Sequence, residues 1–188
     1  MVGVALPART SRIVKVLRLV LNVVVYQCAW FACVMSAAAQ RPWIGIAVAI
    51  AAVLLHLAIA PSPRRELPLI LLATLAGVLF ESLLVASGWV RSAPVLLVGS
   101  MVPVWMVSLW AVFATTLNVS LRRLRHRYLL MAAIAAVGAP LAYEAGAAMG
   151  ALQWVHATPA LLLVAGGWAV LMPLLMRTAQ RFDGYATP

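Results

Sequence analysis

Charged residues are scarce in this chain of 188 residues: Asp, Glu, Lys and Arg make up 10% of it, and only four residues are acidic. With 65% hydrophobic residues, the sequence has too little polar surface to solvate a soluble domain of this length. The basic residues give a formal net charge of +10. Because no soluble domain is predicted, we interpret this charge as a determinant of membrane topology, and we expect no nucleic-acid partner.

Cysteine and metal-ligand motifs are nearly absent. The two cysteines, Cys28 and Cys33, would lie about 140° apart around a helix. This angle excludes a disulfide between them and a paired metal site, so we expect both to be small core residues. The sequence contains no H-x-x-x-H, H-E-x-x-H or C-x-x-C pattern, no phosphate loop, no nucleophile elbow and no dinucleotide fingerprint. We therefore predict neither a metal nor a cofactor, and no motif assigns an enzymatic reaction.

Long apolar runs are what the sequence has in abundance. Each reaches or approaches the ~20 residues that cross a hydrocarbon core ~30 Å thick. The runs are too long for barrel strands, and a helix satisfies its own backbone hydrogen bonds in lipid. The sequence thus predicts an all-α fold, a bundle of six transmembrane helices forming a single domain over residues 1–188. The predicted helices are 13–38, 43–60, 67–90, 94–121, 128–152 and 159–176.

The basic residues are distributed unevenly between the gaps. The N-terminal segment and the gaps after the second, fourth and sixth runs hold twelve of the fourteen, and only Arg41 and Arg91 lie in the other gaps. This bias predicts a bacterial inner-membrane protein with both termini in the cytoplasm. The first run also resembles a signal peptide that ends before Gln40, but its length and polar interruptions favour a retained helix. We expect the tail 182–188 to be frayed.

Two carboxyl groups stand inside the apolar runs. An ionised side chain is costly within a membrane, so such residues usually face the bundle interior and are candidates for function. Glu81 would lie ~21 Å along the third helix and Glu144 ~24 Å along the fifth, which places both in the outer half. We predict that either could be a catalytic acid or base, and that the two could share one site. Four aromatic residues at comparable positions are predicted to shape a ligand cavity around Glu81: Tyr26, Trp30, Trp105 and Tyr143.

A second polar group is predicted in the inner half of the membrane. Asn22, His56 and Asn118 have similar depths on the first, second and fourth helices. Neighbouring basic residues could make this level a site for a phosphate or carboxylate head group. The alternative, which we favour, is that His56 is a packing residue with an internal hydrogen bond.

Four segments carry a resemblance to a known family. They are NVVVYQCAW (22–30), GVLFE (77–81), PVWMVSLWAVFA (103–114) and GAPLAYEAGAAMG (138–150). With these segments in this order, the chain resembles the domain of unknown function 2878 family, a small family of bacterial inner-membrane proteins. The acid on the third helix is often Asp in that family, so Glu81 resembles a longer variant. The resemblance assigns no activity, but it implies a role connected with lipids.

Three functions remain open from the sequence. The first is a bundle that binds or modifies a lipid or another lipophilic small molecule, with Glu81 as polar anchor or acid/base. The second is a small proton-coupled permease in which Glu81 or Glu144 exchanges protons. The third is an accessory or scaffold subunit whose helices pack against a second copy or another membrane protein.

Overall fold

The computed structural model describes residues 8–92, 97–98 and 102–186, with side chains in 13–92 and 102–186. The described chain consists of six α-helices, one short 3-10 helix and four very short strands. In chain order these are α1 (Ala8–Ala38), α2 (Pro42–Ile59), α3 (Pro63–Ala86), β1 (Val90–Ser92), β2 (Leu97–Val98), β3 (Val102–Pro103), α4 (Val104–Leu117), the 3-10 helix (Arg122–Leu124), α5 (Tyr128–Ala148), β4 (Leu152–Trp154) and α6 (Ala157–Arg181).

Five of these helices are long and apolar enough to cross a membrane. They are α1, α2, α3, α5 and α6, with mean hydropathy between 1.5 and 2.3 over an 18-residue window. The all-α class is therefore confirmed, and several apolar helices indicate a multi-pass membrane protein. Large apolar side chains are exposed along these helices, as a lipid-facing surface requires.

The fourth helix differs from its prediction. The sequence predicted a helix over 94–121, whereas α4 has 14 residues, Val104–Leu117, a length of about 21 Å. Part of the preceding apolar stretch forms the hairpin of β2 and β3, in which Val98 pairs with Val102. Pro103, predicted to lie inside this helix, is instead its N-cap. Although short, α4 is the central helix, because it contacts α1, α2, α3 and α6.

Two glycines end helices that were predicted to run further. α3 ends at Ala86 and α5 at Ala148, where the sequence predicted 90 and 152. Gly88 has φ +70° and Gly150 has φ +86°, and this left-handed conformation after a helix terminus is one that glycine adopts without steric cost. The chain then continues into β1 and β4, which pair antiparallel with each other. We call the side of the bundle that carries this pair the strand end.

The opposite side of the bundle is called the basic end here, because it carries Arg64, Arg65 and the 3-10 helix Arg122–Leu124. α3 begins there at Pro63, before the apolar run that was predicted from 67, so its first turn includes Glu66. α6 also extends beyond its predicted 159–176, to Arg181. Both additional turns are polar in sequence, and both lie where the C-terminal tail meets the bundle.

Small residues bring α1 and α2 close together. A Cβ on Gly45 would lie 2.4 Å from the Cα of Cys33, so only glycine allows this approach of the two backbones. The Cys33 thiol donates to the Gly45 carbonyl at 3.3 Å, and the Gly45 amide donates to the Ser36 hydroxyl at 3.1 Å. Cys33 is thus a buried core residue as predicted, but Cys28 is exposed, and its predicted place in the core was wrong.

Candidate functional site

A cavity of about 280 Å³ lies between α1 and α4 on one side and α5 and α6 on the other. α5 packs mainly against α6, and the cavity separates it from α1 and α4. α3 contributes Glu81 to the wall nearest α4. The remaining lining is almost entirely apolar and aromatic, which is the usual composition of a small-molecule site.

The shape of the cavity follows from the spacing of residues on α5. Seven lining residues recur at intervals of three and four, so they form one face of the helix. The middle of this face consists of small residues, and a Cβ on Gly138 would meet no atom within 4 Å. Ile134 is 49% exposed, and Gly138 and Ala142 are also exposed, so the cavity opens sideways along α5. The seven residues are Met131, Ile134, Ala135, Gly138, Ala139, Ala142 and Tyr143.

Glu81 is the polar centre of the cavity. Its side chain is 2% exposed. The Oε1 atom accepts a hydrogen bond from Trp110 Nε1 at 3.1 Å and another from the Tyr143 hydroxyl. The Oε2 atom is buried and has no hydrogen-bond partner among the described residues. A buried polar atom without a partner costs about 1–3 kcal/mol, so Oε2 is where a ligand or a water molecule would stabilise the site most.

A cluster of aromatic rings forms the wall behind Glu81. The indoles of Trp110 and Trp168 stack with their centroids 4.6 Å apart and an interplanar angle of 17°. Phe113 lies edge-on to Trp168 at 5.1 Å. Room for these rings comes from glycines, because a Cβ on Gly77 would lie 2.1 Å from Cγ of Trp110. The glycine four residues before Glu81 therefore lets Trp110 approach α3 and donate to the carboxyl group.

The structure brings five of the six predicted ligand residues to this one cavity: Tyr26, Trp30, Glu81, Trp105 and Tyr143. Trp105 is buried, and its Nε1 also lacks a partner in the described part of the chain. The sixth, Glu144, is exposed and does not line the cavity. Successive helical residues point about 100° apart, so Tyr143 faces inward while Glu144 faces the bundle surface. The two candidate acids thus do not share this site.

A second polar cluster lies at the basic end around Glu66, which is fully buried. Its Oε1 accepts from Asn118 Nδ2 at 2.7 Å and from the backbone amide of Gly184 at 2.8 Å. Its Oε2 lies 3.1 Å from His56 Nε2. Both carboxyl oxygens therefore have partners, so Glu66 serves to hold α2, α4 and the tail together at the start of α3.

The C-terminal tail contacts the bundle over 182–186, contrary to the predicted fraying of 182–188, of which 187 and 188 lie outside the described residues. Asp183 accepts hydrogen bonds from Arg122 at 2.9 Å and from Arg125 at 2.6 Å. Burial alone would raise the pKa of Asp183, but the hydrogen bond from Arg125 and the charge of Arg122 hold that pKa below its usual value. Burial, with the charge of Glu66, raises the pKa of Tyr185 to about 12, against the effect of Arg18.

The predicted inner polar group is divided in the structure. His56 and Asn118 both contact Glu66. Asn22 instead donates to the Thr115 carbonyl at 3.2 Å and accepts from the Ser120 hydroxyl at 2.5 Å. The sequence allowed a phosphate or carboxylate of a lipid head group to bind at this level. In the structure, the protein's own carboxylates Glu66 and Asp183 bind the polar and basic residues there. His56 therefore has the internal partner that the favoured interpretation expected.

Sequence reasoning missed four residues that define these two sites. Neither Trp110 nor Trp168 was predicted to line the cavity, and the available signal was the glycine at 77 and the glycine pair preceding Trp168. Glu66 lies just before the predicted third helix, and Asp183 lies in the tail that was predicted to be frayed. Among the described residues, no group of three or more His, Cys, Asp or Glu side chains is placed to hold a metal ion.

Comparison with family models gives a match over most of the chain. The model of a family described as "Protein of unknown function (DUF2878)" matches residues 19–174, a range that contains the cavity and Glu66 but not the tail. No curated protein and no solved structure matches the chain.

Proposed function

Because the chain belongs to the DUF2878 family of proteins of unknown function, which brings no activity with it, we propose a function from the site itself. The protein binds, or binds and modifies, a lipid or another lipophilic small molecule in the cavity between α1, α4, α5 and α6. Glu81 is the polar anchor of that molecule. The observation that carries this proposal is the coincidence of an apolar cavity of about 280 Å³ with a buried carboxyl oxygen in its wall that has no partner in the described part of the chain.

The sideways opening of the cavity supports this function. The exposed residues along it, Ile134, Gly138 and Ala142, are apolar, so the opening would face lipid tails if α5 crosses the bilayer. A lipophilic molecule dissolved in the membrane would then reach Glu81 without crossing water. The apolar wall would bury its chain, and the polar group would replace the missing partner of Oε2.

The proposed setting is the bacterial inner membrane, with six crossings and both termini in the cytoplasm. Since β1 follows α3, β4 follows α5, and the two strands pair, α3 and α5 end on the same side. The short α4 must then return the chain between them. The basic residues at the other end support a cytoplasmic location for that end. Reporter fusions after Gln40 and after Ala186 should read as periplasmic and cytoplasmic, and the reverse result would overturn this topology.

Two other functions have less support. A proton-coupled permease needs groups that pass protons along a path, and Glu81 is the one carboxyl group among the described residues of the cavity wall, which otherwise offers only the phenols of Tyr26 and Tyr143. Glu144 faces away from them. A scaffold subunit has no need of an unpartnered carboxyl oxygen beside an open cavity. These observations favour ligand binding as the proposed function.

The experiment that tests the proposal fills the cavity. Gly138→Leu would place a side chain where a Cβ meets no atom within 4 Å, at the opening. Gly166→Leu is the matched control, since a Cβ there also meets open space and Gly166 does not line the cavity. Each purified protein is exposed to a total membrane lipid extract and washed, and the retained molecules are identified by mass spectrometry.

We expect at least one lipophilic species to be retained by the wild-type protein and by Gly166→Leu, and to be lost from Gly138→Leu. A thermal unfolding curve for each variant shows that it is folded. If the three proteins retain the same species in the same amounts, or retain none, ligand binding in this cavity is refuted.

A further inference from the structure

The chemistry of the cavity wall restricts which lipophilic molecule it can hold. No Lys, Arg or His is among the described lining residues, and the ionisable groups there are one carboxyl group and two phenols, Glu81, Tyr26 and Tyr143. An anionic head group would enter a poorly solvated space with no cation to pair with, which costs far more than burying a neutral group. Arginines that pair with carboxylates do occur in this protein, but at the basic end, around Asp183.

Three buried polar atoms of the wall have no hydrogen-bond partner among the described residues: Glu81 Oε2, Trp105 Nε1 and Trp168 Nε1. When ionised, Glu81 Oε2 can only accept a hydrogen bond, whereas an indole Nε1 can only donate one. Glu81 and Trp105 are each 2% exposed. A hydroxyl group both donates and accepts, so one kind of neutral group can satisfy either kind of atom.

The volume of the cavity sets the size of the chain. A volume of about 280 Å³ is at the small end of small-molecule sites, which span ~300–1,000 Å³, so the cavity has room for one short chain. A longer chain would leave through the opening beside Gly138. Its remaining carbons would then contact the exposed apolar face of α5.

We propose that the cavity is selective for lipophilic alcohols: single-chain molecules with a neutral hydroxyl group and no phosphate or carboxylate. This inference rests on the proposed function, since it names the ligand class of the same site. The hydroxyl group lies at Glu81 and Trp105, and the chain extends past Gly138 toward lipid.

The test compares three twelve-carbon probes that each carry a bromine atom, which quenches tryptophan fluorescence on contact. One has a terminal hydroxyl group, one has a terminal carboxylate and one has no head group. The full-length protein is placed in phosphatidylcholine nanodiscs, and quenching is titrated for the wild type, Gly138→Leu and Gly166→Leu. Binding in the cavity is measured as the part of the quenching that is lost in Gly138→Leu but is still present in Gly166→Leu.

We expect the alcohol to bind in the cavity at least about ten-fold more tightly than the carboxylate, because only the carboxylate buries a charge. Glu81→Leu should lower the affinity for the alcohol by about three- to ten-fold, which corresponds to the net value of one hydrogen bond. The affinity for the probe without a head group should not change. Should Glu81→Leu fail to fold, Trp105→Phe provides the same test, because it removes the Nε1 donor and keeps an aromatic ring.

The outcomes separate the two proposals. If no probe shows quenching that depends on Gly138→Leu, the proposed function itself fails. If the probe without a head group binds in the cavity but the alcohol is no tighter than the carboxylate, the cavity binds lipophilic chains and the selectivity for alcohols is refuted. If Glu81→Leu lowers the affinity for the alcohol and for the probe without a head group equally, the selectivity for alcohols is also refuted. The carboxyl group would then affect the shape of the cavity and would not bind the hydroxyl group.

Discussion

Replacing Gly77 by alanine should destabilise the protein, although the same change elsewhere in a helix stabilises it. Gly77 lies in the middle of α3, where the added methyl group would lie 2.1 Å from Cγ and 2.2 Å from Cδ2 of Trp110. Both atoms belong to the rigid indole ring, so the whole ring must move to make room for the methyl group. Its movement would break the stacking on Trp168 and the hydrogen bond to Glu81.

The expected size follows from three contributions. Forcing a methyl group into a packed core costs about 1–3 kcal/mol. Losing the hydrogen bond between Trp110 and Glu81 removes a further ~0.5–1.5 kcal/mol. Alanine regains about 1 kcal/mol over glycine through its higher helix propensity. We therefore expect Gly77→Ala to lower the free energy of unfolding by about 0.5–3.5 kcal/mol.

The matched control is Gly138→Ala, which makes the same change in α5 where the added methyl group meets no atom within 4 Å. Only the propensity contribution applies there, so the control should gain up to about 1 kcal/mol. Reversible unfolding in mixed micelles with increasing sodium dodecyl sulfate, followed by circular dichroism, measures both. If Gly77→Ala proves as stable as Gly138→Ala, Trp110 does not pack against α3 as described.

Three further predictions concern the basic end and the surface. Glu66→Ala should cost about 2–4 kcal/mol in the same assay because it leaves buried donors unpaired, whereas Glu144→Ala, at an exposed position, should change stability by less than about 0.5 kcal/mol; equal effects would contradict the Glu66 cluster. A lipid-soluble maleimide should label Cys28 at least about ten-fold faster than Cys33, measured on single-cysteine variants, because only the Cys33 thiol is buried. Because the pKa of Asp183 is lowered, ionised Asp183 stabilises the docked tail above its usual pKa of 3.8, and this contribution is lost as the pH falls through the lowered value. A spin label on Ala186→Cys, with both native cysteines replaced by alanine, should be immobile at neutral pH and mobile in acid, while Asp183→Asn should leave it mobile throughout; a label that stays immobile in that variant would contradict the role of Asp183.

The helices could be predicted because a long apolar run has few alternatives in lipid. Their ends could not, since hydropathy reports polarity and not backbone conformation. The left-handed conformations of Gly88 and Gly150 end two helices within apolar sequence. The sequence before α4 is about as apolar as α4 itself. The fourth helix was therefore predicted to be longer than α4 is.

The cavity residues were foreseeable to the extent that helical periodicity sets direction and depth. Tyr26 and Trp30 are four residues apart on α1, and the position of Glu81 along α3 matched theirs. Trp110 was not foreseeable in this way, because its place depends on contact with Gly77 from another helix. The partners of Glu66 are 52 residues away at Asn118 and 118 residues away at Gly184, and local patterns carry no information at that separation.

The distance in sequence between Glu66 and Gly184 has a consequence for biosynthesis. At ~5–20 residues per second, a ribosome needs about 6–24 seconds to proceed from one residue to the other. During that interval the carboxyl group of Glu66 lacks the backbone donor that completes its hydrogen bonds. The bundle can therefore reach its final state only after Gly184 has left the ribosome, and a nascent chain cut short before Gly184 would retain a buried carboxyl group that lacks one of its hydrogen bonds.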